Sequence, residues 1–226
     1  MYWVQFPSAR LAGRIAIHEG GTTMRYPNIF AAIAALLLLP LWSPAASVSQ
    51  AAGMAQLWNI DPDHSSVNFS VRHIFVPIPG RFDAFGGTIR FDPDNLEGSS
   101  IDIGIDTASV NTFVAKRNEH LRTPDFFDAT RYPAMTFKST RITHTGGDAY
   151  LAQGTLTIKD VSRDITLPFT YLGQKKHPMV PDKTVAGFTA TLSLKLLDYH
   201  VGEDKWQKMG VLGESADIAL YMELLR

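Results

Sequence analysis

Cysteine is absent from the 226-residue sequence. Disulfides, thiol nucleophiles, thiolate metal sites and a lipid-bearing N-terminal cysteine are therefore excluded. The histidines after residue 55 are His64, His73, His120, His144, His177 and His200, and none stands at the HxH or HxxxH spacing that preloads a metal site. No GxSxG elbow offers a serine nucleophile, and no glycine loop is of the phosphate-cradling type. Charge of either sign is also scarce as a pattern. The 21 Lys and Arg nearly balance 22 Asp and Glu, with no basic tract, which argues against a nucleic-acid partner.

A long apolar run is missing too. The most hydrophobic stretch, Ile29 to Trp42, is shorter than the roughly 17–25 residues a membrane span needs. Arg25 precedes it and small residues follow from Ser43 to Ala55, the order of a secretory signal peptide. Met24 makes a conventional start for such a leader, so residues 1–55 are read as an N-terminal extension and 56–226 as one domain. An uncleaved anchor is the alternative. Cleavage would remove Arg10, Arg14 and Arg25 against one acid, Glu19, and leave a more acidic domain with no membrane span.

What the domain has is alternation of period two. Val67, Phe69, Val71 and His73 share one face of a strand, with Ser66, Asn68, Ser70 and Arg72 on the other. Pro77 to Gly80 is expected to break it before a strand from Arg81 to Asp92, where Gly86-Gly87 marks a bulge or bend. Ile101, Ile103 and Ile105 alternate with Asp102, Gly104 and Asp106. Further strands are predicted from the Tyr132-Pro133 entry onward, over Tyr150–Lys159 with a change of face at Gly154, over Ile165–Leu172, Val185–Leu197 and Ala216–Leu225. Asp198 to Gly213 reads as irregular. About eight or nine strands without βαβ spacing make the chain all-β and antiparallel. A closed barrel hides strand edges, and a sandwich stays open as the alternative.

Alternation stops over Ala115–Phe137. Lys116 to His120 are good helix formers and Pro124 limits the helix, so a short helical insert is expected against the sheet. Leu121, Phe126 and Phe127 would wedge into its apolar side, either plugging the core or forming the lid of a cavity. Asp61, Asp63, Asp102, Asp106, Asp125 and Asp128 lie in turns or alternate with isoleucines, which favours capping and solvated roles over an acid–base pair.

The same stretch resembles a signature of the YceI-like family, periplasmic polyisoprenoid-binding proteins with a lipocalin-like barrel. The matching pieces are Arg117-x-x-His120-Leu121, Asp125-Phe126-Phe127, Tyr132-Pro133 and Phe137-Lys138-Ser139. In the same order come Trp58-x-Ile60-Asp61-x-x-His64-Ser65, Phe69-x-Val71-x-His73, Gly80-x-Phe82-x-x-Phe85-x-Gly87 and Gly154-x-Leu156-Thr157-Ile158-Lys159. Three positions depart from the pattern: Asn118 replaces the usual Asp after Arg117, and Leu196 and His200 stand where an Arg and a Gly are common around Asp198.

The resemblance implies a non-enzymatic carrier of an isoprenoid lipid or quinone, with a role in stress response among those of the family, as a monomer or homodimer without a resident cofactor. Phe69, Val71, Phe82, Phe85, Ile89, Phe91, Ile103, Leu121, Phe126, Phe127, Phe137, Leu156, Ile158, Phe169 and Phe188 are the expected cavity residues. His73, Arg117, His120 and Arg122 are expected near a polar head group. Two rivals remain: an enzyme acting on a lipid-like substrate with a His-centred site, and a fully packed structural domain. Burial of a five-carbon isoprene unit yields roughly 3–4 kcal/mol gross at about 0.8 per carbon. About eight units would sum to about 30 kcal/mol, above the observed ceiling near 18–21. Burial alone therefore does not set chain length; the length of the cavity must.

Overall fold

The computed structural model describes residues 53–226. The expected start at Met24 and the apolar run 29–42 lie outside them. Eleven strands form one antiparallel sheet: β1 Leu57–Ile60, β2 Ser66–His73, β3 Val76–Phe82, β4 Phe85–Arg90, β5 Ser100–Asp106, β6 Val110–Asn111, β7 Ala134–Gly146, β8 Ala149–Ile158, β9 Val161–Lys176, β10 Thr184–Lys195 and β11 Leu212–Leu225. Helices α1, Ala115–Leu121, and α2, Asp204–Lys208, interrupt them.

β1 runs on into β2, β3 into β4 and β5 into β6, so the eleven segments make eight staves that pair with their sequence neighbours. Closure comes from β11 pairing with the first stave: Leu225 and Leu224 lie opposite Asn59 and Ile60 of β1, and Tyr221 to Leu212 run opposite Ser66 to His73 of β2. The sandwich is thereby excluded. The ladders and both apolar clusters lie within residues 57–225, so this part of the chain supplies its own core.

Pro77 and Pro79 do not break the sheet. They sit inside β3, opposite Arg72 and Ser70 of β2. The two prolines are two residues apart, so their missing N–H groups face the same edge, which β6 covers only opposite Arg81 and Phe82. The chain turns instead at Ile74-Phe75, between the paired His73 and Val76.

The expected strand Arg81–Asp92 is divided at Asp83-Ala84. Its Gly86-Gly87 pair forms no bulge, because β4 and β5 keep one register. Gly87, at φ 146°, instead lets the Asp102 carbonyl approach where a Cβ would lie 2.1 Å from it.

Residue Gly154 also differs from expectation. Tyr150, Ala152, Gly154 and Ile158 are buried in one unbroken row of β8, so the face does not change. The bulge lies across from it on β7, where the register shifts between Ser139 and Arg141 and Thr140 is the extra residue.

β9 runs beyond Leu172 to Lys176, past a second irregularity that leaves Leu172 exposed. The irregular segment contains a 3-10 turn at Leu197–Tyr199 followed by α2.

Candidate functional site

Inward residues alternate along every stave, and they do not meet at the axis. They surround a cavity of about 560 Å³, within the ~300–1,000 Å³ typical of sites that enclose one small ligand. Its wall is almost entirely hydrocarbon. β5 contributes Ile101, Ile103 and Ile105; β10 contributes Phe188, Ala190, Leu192 and Leu194; β11 contributes Ile218, Leu220, Met222 and Leu224.

One end is closed by aromatic rings. Phe91 meets Tyr150, Phe169 and Phe188 edge-on, with centroids 5.3, 5.8 and 5.2 Å away. Burial pushes the Tyr150 and Tyr171 hydroxyls above their ordinary pKa, so both stay neutral. Trp58 completes the closure, donating from Nε1 to the Phe91 carbonyl at 2.9 Å.

The opposite end carries α1 and α2, and there the wall reaches solvent. His73, His120 and Lys195 line the cavity and are exposed, whereas Phe91, Phe169 and Leu224 at the far end are buried. The mouth is therefore the end with the helices.

Its polar side chains are held in place. Arg117 donates from Nε to Thr112 Oγ1 and from Nη2 to the Thr112 carbonyl, both at 2.8 Å. Thr112 is buried, and its N–H and hydroxyl both donate to Asn118 Oδ1 at 2.7 Å. The amide oxygen of Asn118 thus accepts as one oxygen of an Asp would, and the partner of Arg117 is Thr112. His120 pairs through Nε2 with Asp125 Oδ2 at 2.9 Å and stands edge-on to Phe126 at 5.0 Å.

Trp206, in the middle of α2, lines the cavity with a buried indole Nε1 that has no protein acceptor. Leaving such a donor unmatched costs about 1–3 kcal/mol, so the site favours an incoming acceptor.

All the expected apolar positions line the cavity except Phe85. Phe85 opens β4 just after the Asp83-Ala84 interruption and packs into the cluster of Val67, Phe82, Val110 and Met135. Of the expected head-group residues, His73, Arg117 and His120 are on the wall and Arg122 is not. Arg122 instead donates from Nε to the Ala108 carbonyl at 2.6 Å and from Nη2 to the Val110 carbonyl at 3.3 Å, bracing the end of α1.

Among the wall residues absent from the expected set, Lys195, Leu196, Tyr199, Val201, Trp206, Val211 and Leu212 run from the end of β10 to the start of β11. Their signal was the lone tryptophan of Lys205-Trp206-Gln207-Lys208, held between Gly202 and Gly210.

Outside the barrel, Asp61, His64 and Glu223 bring ligand atoms within 4.8 Å of one another. His64 Nδ1 is already used there by Asp61 Oδ2, at 2.9 Å.

A closed eight-stave antiparallel barrel around an apolar cavity, with a helical mouth, defines a lipocalin-like barrel. Within that class the chain belongs to the YceI-like domain family, which matches residues 58–224. A UPF0312 protein of Vibrio cholerae is 34% identical over 161 residues, covering 71% of this chain and 81% of its own. Among solved structures, BcnA of Burkholderia cenocepacia is similar with a TM-score of 0.66 and 27% identity, over 74% of this chain and 99% of its own. A polyisoprenoid binding domain from Saccharophagus degradans, implicated in plant cell wall breakdown, shares the fold at a TM-score of 0.55 and 17% identity. It covers 74% of this chain and 97% of its own.

Proposed function

We propose that the protein is a non-enzymatic carrier that holds one long apolar lipid, an isoprenoid with a small polar head, inside its barrel. The observation that carries this reading is the hydrocarbon wall of the cavity, with its charged and imidazole side chains confined to one end. Each apolar carbon moved from water onto that wall contributes about 0.8 kcal/mol gross. The shared fold of a polyisoprenoid binding domain points to the same ligand class.

The head group lies at the mouth. There the unmatched indole N–H of Trp206 donates to a quinone carbonyl or a phosphate oxygen, with Arg117 and His73 beside the same opening. Phe127 from the insert packs edge-on against Phe82 at 5.5 Å, so the segment after α1 forms part of the wall above the chain of the ligand. The leader-like pattern around Arg25 and residues 29–42 supports export and, with it, a periplasmic setting for this activity.

Replacing a small wall residue by a large one separates carriage from folding. Ala190→Phe projects a ring into the cavity from β10. The variant is expected to fold as a barrel by circular dichroism yet yield no isoprenoid on extraction with organic solvent, where the unaltered protein yields a stoichiometric amount. Equal recovery from both would overturn the reading.

A further inference from the structure

We propose that the mouth end of the barrel is a docking surface for an anionic phospholipid bilayer, reached first by the Ile74-Phe75 turn. Ile74 has φ 55°. A β-branched residue avoids that left-handed conformation, and a two-residue hairpin loop ordinarily places Gly, Asn or Asp there. The turn thus sacrifices local comfort, and the gain is two apolar side chains at its tip: Phe75 is 90% exposed and Ile74 42%.

Two neighbouring tips add to it. Phe113, 66% exposed, precedes α1, and Met209, 68% exposed, follows α2. The Ile74-Phe75 and Met209 tips adjoin, and Phe113 stands beside the far end of β3. The Ile74 N–H donates to the Val211 carbonyl at 3.0 Å, and the Arg81 guanidinium lies over the Phe113 ring at 5.7 Å.

Charge selects the occupant. The tips with their helices, residues 72–83, 110–121 and 203–213, carry Arg72, Arg81, Lys116, Arg117, Lys205 and Lys208 against Asp83, Glu119, Glu203 and Asp204, an excess of basic groups. Arg81, Lys205 and Lys208 pair with Asp83, Glu203 and Asp204, which leaves Arg72, Lys116 and Arg117 without a carboxylate partner among the described residues. Apolar tips flanked by basic side chains match the lipid interface, where rings enter the acyl boundary and cations meet phosphates. Ile78, Arg117, Trp206 and Val211 belong to the same segments and line the cavity, so a docked mouth opens onto lipid. That last point rests on the carrier reading; the surface itself does not.

Flotation of residues 53–226 with phosphatidylcholine vesicles, with and without phosphatidylglycerol, tests the proposal. The protein is expected to float with the anionic vesicles, less so at high salt. Phe75→Ser and Phe113→Ser should each lower the bound fraction roughly tenfold, the partition lost with one apolar side chain. Met179→Ser is the control. Met179 is 85% exposed but lies in the loop between β9 and β10, at the closed end, and its loss should change nothing. Ile74→Gly should raise the Tm by relieving the turn while weakening flotation, a pair of effects that misfolding does not produce.

Absence of flotation, or equal flotation of all variants, would overturn the proposal. So would a wild type that is dimeric without vesicles and a Phe75→Ser variant that is monomeric, since the patch would then belong to a second copy. Extraction of the same samples keeps the two readings apart: flotation without any isoprenoid sinks the carrier and leaves the docking surface.

Discussion

Asp61 sets the behaviour of His64. The carboxylate accepts from His64 Nδ1 at 2.9 Å, and this hydrogen bond holds the imidazole above its ordinary pKa of 6.5. The same contact holds the Asp61 carboxyl below its ordinary 3.8. For the raised histidine, the stabilisation is complete below 6.5 and is lost as pH rises through its folded value. For the depressed aspartate it is present above 3.8 and is lost as pH falls through its folded value. The pair therefore stabilises the β1–β2 corner most between those two ordinary values. NMR titration should give His64 a midpoint above 6.5, returned to the ordinary value in Asp61→Asn; an identical midpoint in both proteins would contradict the pairing. Other single residues were only partly legible. His200 stands where the family resemblance implies glycine, and its φ of 53° lies in the left-handed region that glycine adopts freely. The strain is offset by contacts no periodicity announces: its Nδ1 meets Asp160 Oδ1 at 3.1 Å, and its carbonyl accepts from Lys159 Nζ at 2.6 Å.

At the scale of the element, the contact between β7 and β8 leaves no room for a side chain at Gly154. A Cβ on Gly154 would lie 2.4 Å from the Lys138 carbonyl oxygen and 2.7 Å from the Ser139 Cα, both backbone atoms that cannot swing aside. Gly154→Ala should therefore destabilise the barrel by about 1–3 kcal/mol, lowering the Tm by roughly 3–10 °C in a thermal melt. An unchanged Tm would show that the bulge at Thr140 absorbs the clash. The sequence announced something unusual here, because Leu151 and Leu156 are out of phase, but assigned it to the wrong strand. Leu151 simply faces outward, opposite Thr143 of β7 and Pro168 of β9. Alternation was a sound guide for β2, β5 and β11, each half-buried along its length. It failed at Pro77 and Pro79 because a proline's effect depends on which edge is paired, and pairing is a long-range property. It also failed after β10, where a 3-10 turn and a five-residue helix are too short to establish a period.

Across the molecule, closure rests on the pairing of β11 with the first stave, two residue pairs with β1 and seven with β2, all far apart in the chain. No local pattern encodes that contact, so barrel and sandwich were equivalent until the ladder was seen. The same holds for the interior: inward aromatic residues predict an apolar centre equally well whether they meet or stop short. What the structure adds is that they stop short, leaving about 560 Å³, with the unmatched Trp206 donor and three exposed polar wall residues at one end. A single rigid container with one polar end is the basis of the carrier reading. Native mass spectrometry of residues 53–226, exported and purified without detergent, tests it most directly. The account predicts a 1:1 adduct that dissociates as an isoprenoid lipid and is missing from Ala190→Phe. A bare mass, still bare after incubation with polyprenyl lipids and isoprenoid quinones, would contradict it.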